Sequence, residues 1–286
     1  MNSNDHTNKN TCGAVKMAKT MQDQAIHNVI SRIKHKLLVM SGKGGVGKST
    51  MAVNLAVAMA RKGYAVGLMD VDMHGPDIPR MLGLKESAQI NPDRTIDPVV
   101  YGDKLKVLSV ESILREKDAA VIWRGPLRAA TIRQFITDVN WGEIDFLIID
   151  APPGTGDEPL TVAKAIEDVW GVIVTTPQEI SLADVRKSIR FCRQIDMRIL
   201  GIIENMSGLI CPHCQGTIDL FKVGGGRRVA QESDIPFLGA IPLDPNLTQA
   251  ADLGSPYLND AAATPASKAF AEIVANISNR LGLTNE

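Results

Sequence analysis

The chain has 286 residues, of which 44% are hydrophobic and 22% charged, and Lys+Arg 31 against Asp+Glu 32 leaves a net charge of −1. That balance argues against a dedicated nucleic-acid binder, which carries a basic excess. No apolar run approaches the ~18 residues of a membrane span. The length suits one large α/β domain whose core is aliphatic, since aromatic residues are only 4%.

The opening MNSNDHTNKN has no apolar stretch behind it, so no signal peptide is expected. The expected compartment is therefore cytoplasmic, where the four cysteines stand as reduced thiols or metal ligands and not as disulfides. Residues 1 to about 18 read as a polar tail with too little apolar content to fold. Ile26, Val29, Ile30 and Ile33 at helical spacing predict a short amphipathic helix within 19–34. The expected division is an N-terminal region 1–35 followed by one domain, 36–286.

From Leu37 the pattern changes. Short apolar runs at Leu37–Met40, Ala65–Met69, Leu105–Val110, Ile144–Ile149, Val169–Thr175, Ile199–Ile203 and Phe237–Ile241 are bounded by Gly, Pro, Asp and Asn. Strands covered on both faces read this way, as continuous apolar runs. Helix-length segments separate them. Residues 48–62 are apolar nearly all round, 181–195 carry a stripe through Leu182, Val185, Ile189, Cys192 and Ile195, and 265–281 carry one through Phe270, Ile273, Val274, Ile277 and Leu281. Strand alternating with helix predicts an α/β fold, a mainly parallel sheet with helices on both faces. Residues 84–104, rich in Pro and Asp, are expected as a loop or a small hairpin.

Between the first strand and the first long helix lies Gly42-Lys43-Gly44-Gly45-Val46-Gly47-Lys48-Ser49-Thr50, which matches the phosphate-loop pattern G-x-x-x-x-G-K-S/T in its strand–loop–helix context. Glycines let successive backbone N–H groups converge on a phosphate, and the helix N-terminus adds positive potential. Lys48 is placed to meet the β- and γ-phosphates and Ser49 to offer its hydroxyl to Mg²⁺. Lys43 cannot easily fold back beside Lys48. It can reach a nucleotide on a facing subunit, in the manner of an arginine finger. This GKGGVGK form resembles the deviant Walker A loop of the MinD and nitrogenase-iron-protein class of dimeric P-loop ATPases.

Carboxylates at the C-terminal ends of parallel strands face the ligand crevice of an open α/β sheet. Asp150, after Phe146–Ile149, fits a Walker B role on Mg²⁺. Asp72 is placed to orient or deprotonate the attacking water and, with Ser49 and Asp150, completes the expected magnesium set. Asp70 reads as a strand-end turn residue or as part of the same site. Gly154, in Ala151-Pro152-Pro153-Gly154, is placed to present its N–H to a γ-phosphate. By resemblance these segments are the switch I and switch II regions of the class. Asn205 follows the strand Ile199–Ile203, and a side-chain amide can pair with the N6/N7 edge of adenine. An Asn reads the base at this point in related ATPases, so the resemblance favours ATP over GTP.

Residues 206–222 form an irregular insertion holding Cys211-Pro212-His213-Cys214. The C-x-x-C spacing lets two thiolates converge on one metal, yet zinc or an iron–sulfur cluster takes four ligands. Cys12 lies in the tail, and Cys192 lies on an apolar stripe where a buried free thiol is expected. A two-fold axis would supply the missing pair, and Lys43 independently asks for a dimer. A zinc-clamped dimer and a redox dithiol are the competing readings of the motif.

The blocks SGKGGVGKST (41–50), DVDMHGPDIPRMLG (70–83), DFLIIDAPPGTGDEPLT (145–161), TTPQEISLADVRKSI (175–189), ENMSGLICPHC (204–214), FKVGGGRRVA (221–230) and GAIPLDPNL (239–247) together resemble the Mrp/ApbC family of iron–sulfur cluster carrier ATPases. The resemblance implies a single P-loop NTPase domain that binds and hydrolyses ATP with Mg²⁺. It also implies a homodimer that carries a bridging 4Fe-4S cluster from a donor to apo iron–sulfur proteins; neither nucleic acid nor membrane is expected as a partner, from the balanced charge and the absence of a cationic excess on the 265–281 helix. Relatives with a second, N-terminal cluster use four cysteines there, whereas this chain has only Cys12. The rival readings are a MinD/ParA-type partitioning ATPase and an ATP-driven iron–sulfur reductase.

Overall fold

The computed structural model describes residues 21–73, 75–113, 125–211, 213–214, 216–260 and 264–283. The expected tail and Cys12 lie outside the described residues. In chain order the elements are α1 (21–30), β1 (Ile33–Ser41), α2 (Lys48–Arg61), β2 (Val66–Asp70), α3 (Ile78–Met81), β3 (Gln89–Ile90), β4 (Ile96–Asp97), β5 (Val99–Tyr101), β6 (Leu105–Ser109), α4 (Val110–Ile113), α5 (Gly125–Thr137), β7 (Ile144–Asp150) and α6 (Asp157–Ala165). The second half adds β8 (Trp170–Thr175), α7 (Glu179–Gln194), β9 (Arg198–Glu204), β10 (Leu209–Ile210), β11 (Thr217–Ile218), α8 (Gly225–Glu232), β12 (Phe237–Ala240), α9 (Pro245–Asp252), α10 (Tyr257–Asp260) and α11 (Pro265–Arg280).

Eight strands make one sheet in the order β12-β9-β8-β1-β7-β2-β6-β5. Every pair is parallel except β5 with β6. The expected α/β fold with a mainly parallel sheet is therefore present. Its centre, β1 and β7, reads LLVM and FLII, and these residues are wholly buried, because helices cover both faces. One face packs against Ile26 and Ile30 of α1, Ile132 and Ile136 of α5, and Leu182, Val185 and Ile189 of α7. The other packs against Met51, Leu55 and Met59 of α2 and Phe270, Ile273 and Ile277 of α11. Apolar burial all round α2 follows from its place between the sheet and α11, and it fixes the direction in which the loop before it opens.

The expected helix within 19–34 stops at residue 30, and Ile33 is instead the first residue of β1. Residues 84–104 form two short antiparallel pairings. Gln89–Ile90 joins Ile96–Asp97, and Val99–Tyr101 joins β6 at the sheet edge. Residues 206–222 contain the small hairpin β10–β11, with Leu209 opposite Ile218.

Candidate functional site

β1 and β7 end side by side at the sheet centre, where the chain turns through 42–47 into α2. Gly45 and Gly47 adopt φ of 78° and 81°, left-handed values that L side chains rarely take. A Cβ on Gly42 would fall 2.5 Å from the backbone of Asp184 in α7, so the loop lies flat against that helix. A Cβ on Gly47 would strike the amide of Asn205.

Lys48 opens α2 and is only 6% exposed. Its Nζ donates to Asp150 Oδ1 at 2.6 Å and to Ser49 Oγ at 3.3 Å. The ammonium thus lies against two of the three groups expected to hold Mg²⁺. Hard oxygen donors around a bound cation are the chemistry that ion requires, so the residues present fit it. Asp70 sits beside Asp150 in the β2–β7 register. Its Oδ2 accepts from Ser109 Oγ at 3.1 Å and its Oδ1 from the Asp72 N–H at 3.0 Å. The second contact is the strand-end turn expected of an Asp there, and it sets where Asp72 leaves the strand.

Burial pushes the Asp70 carboxyl well above its ordinary value, with the neighbouring Asp150 charge adding to the rise. Burial also raises Asp150, against the pull of Lys48. One ammonium thus serves two buried carboxylates. The folded protein keeps a proton on Asp70 at a pH where the unfolded chain has lost it near 3.8. Stability of the nucleotide-free protein falls as pH rises through the raised value, and the penalty persists above it. D70N, which removes that titration, is expected to melt higher than the wild type at neutral pH and to flatten the fall in melting temperature as pH rises above the unfolded value of 3.8. Differential scanning fluorimetry across that range checks it.

The remaining predicted groups converge on the same loop. Gly154, at φ 93°, donates its N–H to the Ser41 carbonyl at 2.8 Å. Ser41 Oγ in turn donates to the Lys43 carbonyl at 2.9 Å. Lys43 is half-buried, while Gly44 and Gly45 are exposed. Asn205 is 5% exposed, and its Nδ2 donates to the Val46 carbonyl at 2.9 Å. In this arrangement the Asn205 amide is committed to the loop. Thr50 accepts from Asn54 Nδ2 within α2.

The cysteine pair stands apart from these residues, on the β10–β11 hairpin. The Cys211 N–H donates to the Gly216 carbonyl at 2.9 Å, closing the knuckle. Cys211 is half-buried and Cys214 exposed. N–H groups of Cys214 and His213, and then the Cys214 thiol, point at the Cys211 sulfur and hold its pKa below the ordinary thiol value. This favours the thiolate that ligates metal. Among the described residues no group of three or more His, Cys, Asp or Glu side chains could hold a metal ion. Cys211 and Cys214 therefore stand as a pair of thiols with no third such side chain grouped with them among the described residues. Cys192 is fully buried on α7, as expected.

One residue escaped the sequence reading. Glu204 is fully buried at the end of β9, and its carboxylate accepts from Ser207 Oγ and from the N–H groups of Gly224 and Gly226. The available signal was an acid directly following the apolar run Ile199–Ile203 and preceding a Gly-Gly-Gly helix start.

A family model described as "ParA: NUBPL iron-transfer P-loop NTPase" matches residues 32–278. The chain is 47% identical over 275 residues to the iron-sulfur cluster carrier protein of Methanocaldococcus jannaschii, covering 96% of this chain and 94% of that one. It is 46% identical over 256 residues to the cytosolic Fe-S cluster assembly factor NUBP2 homolog of Dictyostelium discoideum, covering 87% and 95%. Among solved structures, the nucleotide-binding protein of Archaeoglobus fulgidus in complex with ADP superimposes with a TM-score of 0.74 at 39% identity, covering 84% of this chain and 94% of that one. The Pyrococcus furiosus cell division ATPase MinD shares the fold, with a TM-score of 0.64 at 22% identity over 86% and 98%. No helix among the described residues is long and apolar enough to cross a membrane.

Proposed function

The chain belongs to the NUBPL-type iron-transfer P-loop NTPase family, and from that premise we propose that it is an ATP-dependent iron–sulfur cluster carrier. Two copies hold a 4Fe-4S cluster between their Cys211–Cys214 pairs and pass it to apo-proteins. The observation that carries the reading is a C-x-x-C pair whose Cys211 thiolate is stabilised, on the same chain as a complete phosphate loop. Ile218, Leu220 and Val223, each about half exposed, follow the knuckle and suit a face covered by the second copy.

In the nucleotide site, the N–H groups of 44–49 cradle the phosphates and Lys48 moves its ammonium from Asp150 to the β- and γ-phosphates. Ser49, Asp150 and Asp72 would hold Mg²⁺, which supplies charge neutralisation on the phosphate oxygens. Asp72 orients the attacking water and takes its proton. The γ-phosphorus–oxygen bond to ADP breaks with the electron pair going to the ADP oxygen. Lys43 steadies that charge on the nucleotide of the facing subunit, and the Gly154 N–H leaves Ser41 for the γ-phosphate. Asn205 exchanges Val46 for the adenine edge.

Anaerobic reconstitution with iron and sulfide, followed by metal analysis and light scattering, tests the reading. About four iron and four sulfide per two chains, in a dimer, is the expected result. A monomer without iron, or a dimer that takes only zinc, overturns it.

A further inference from the structure

Glu204 takes no part in the chemistry above, yet its fully buried carboxylate accepts three hydrogen bonds. It accepts from Ser207 Oγ at 2.5 Å, the Gly224 N–H at 2.8 Å and the Gly226 N–H at 2.5 Å. Ser207 stands where the chain leaves the sheet for the cysteine hairpin, and Gly224–Gly226 where it returns into α8. One side chain therefore ties both roots of the segment that carries Cys211 and Cys214. A Cβ on Gly226 would fall 3.1 Å from both Glu204 Cβ and Oε2, so the close approach depends on glycine.

The next residue, Asn205, projects from the opposite side of the strand end. Its amide holds the Val46 carbonyl of the phosphate loop and lies against Gly47. The two backbones are pinned, since the Glu204 carbonyl accepts from Ile241 and the Asn205 N–H donates to Thr175, both at 2.7 Å. Beyond them, Met206 takes φ 58° and Gly208 φ 71°. A left-handed conformation is costly for a side-chain-bearing residue and persists only where surrounding contacts enforce it. The step from strand to hairpin is thus short and over-determined.

We propose that Glu204 is a positioning residue that transmits nucleotide occupancy to the cluster site. Asn205 senses the phosphate loop and Glu204 fixes the hairpin roots, so a nucleotide that takes the Asn205 amide off Val46 changes how tightly the cysteine hairpin holds its cargo. This rests on the carrier reading above. E204Q keeps the shape of the side chain but replaces one acceptor oxygen by an NH₂ that faces a backbone N–H, so it loosens the roots while leaving the phosphate loop intact.

The test compares reconstituted wild-type and E204Q dimers for the rate at which an iron chelator removes the cluster, with and without Mg²⁺ and a non-hydrolysable ATP analogue. The analogue is expected to change the wild-type rate by at least about fivefold. E204Q is expected to load cluster and bind a fluorescent ATP analogue as the wild type does, with the rate ratio collapsing to about one. A wild-type rate indifferent to the analogue, or E204Q with the full wild-type ratio, overturns the proposal. A wild-type protein that takes up no cluster overturns the carrier reading instead. The linkage is then read by hydrogen exchange on metal-free wild type. The ATP analogue should change protection of amides 206–226, and unchanged exchange there overturns the linkage without recourse to any variant.

Discussion

K48A is expected to weaken nucleotide binding severely and to lower the melting temperature at neutral pH. Lys48 Nζ lies 2.6 Å from Asp150 Oδ1, with the two side chains 6% and 1% exposed. Removing one partner of such a buried pair leaves an uncompensated charge and costs about 3–5 kcal/mol. In a chain of this size that corresponds to a fall on the order of 10 °C. The loss should shrink as pH is lowered, because Asp150, without the cation that opposes its burial, neutralises by taking a proton. K48A/D150N should recover part of the stability but none of the affinity, since only the first loss comes from the stranded carboxylate. Affinity for a fluorescent ATP analogue should drop at least about 100-fold, as expected for losing a charge-assisted phosphate contact. Scanning fluorimetry and equilibrium titration measure the two effects. A K48A protein melting within about 2 °C of wild type would show that the pair contributes little to folding.

The second large effect is expected at the cysteine hairpin. On the proposed shared site, C211A and C214A would each remove two of four ligands, because a change in one chain is repeated in its twin. Cluster content after reconstitution should fall to background in either variant, read as iron and sulfide per chain and as loss of visible absorbance. ATP binding should stay within about twofold, and melting within about 2 °C, because a small side chain removed from a knuckle outside the core costs on the order of 0.5 kcal/mol or less. Neither cysteine meets the phosphate loop; the hairpin joins it through 204–205. Iron retained at wild-type level in C214A would place the metal on other ligands and dissolve the argument for a shared site.

The sheet was largely legible because its strands are covered on both sides, and LLVM or FLII can hardly be anything else beside glycine and aspartate. Ile33 misled because an apolar residue three or four positions after Val29 and Ile30 continues a helical stripe as well as it begins a strand. The hairpin β10–β11 was not foreseen: two-residue strands carry no periodicity to read. In the nucleotide site, glycine spacing and strand-end carboxylates announced themselves locally. Glu204 did not, because its partners Gly224 and Gly226 lie 20 and 22 residues onward. From the sequence Asp70 fits two readings; in the structure its side chain is a turn acceptor, at a position paired with Asp150 in the β2–β7 register. The motif resemblance to cluster-carrier ATPases agrees with the family match across residues 32–278. Asn205, expected at a base, is held by Val46 in this arrangement.

The sulfur of Cys192 is sealed in the interior, 3.6 Å from the Met40 sulfur, and burial pushes its pKa up to about 12. An alkylating reagent acts on thiolates it can reach, so this position stays silent at neutral pH in the native protein. Mass spectrometry of briefly alkylated samples can then score Cys211 and Cys214 peptide by peptide, with Cys192 as an internal gauge of whether the fold has opened. Protection of the knuckle peptide while Cys192 remains unlabelled would report cargo; simultaneous labelling of Cys192 would report unfolding.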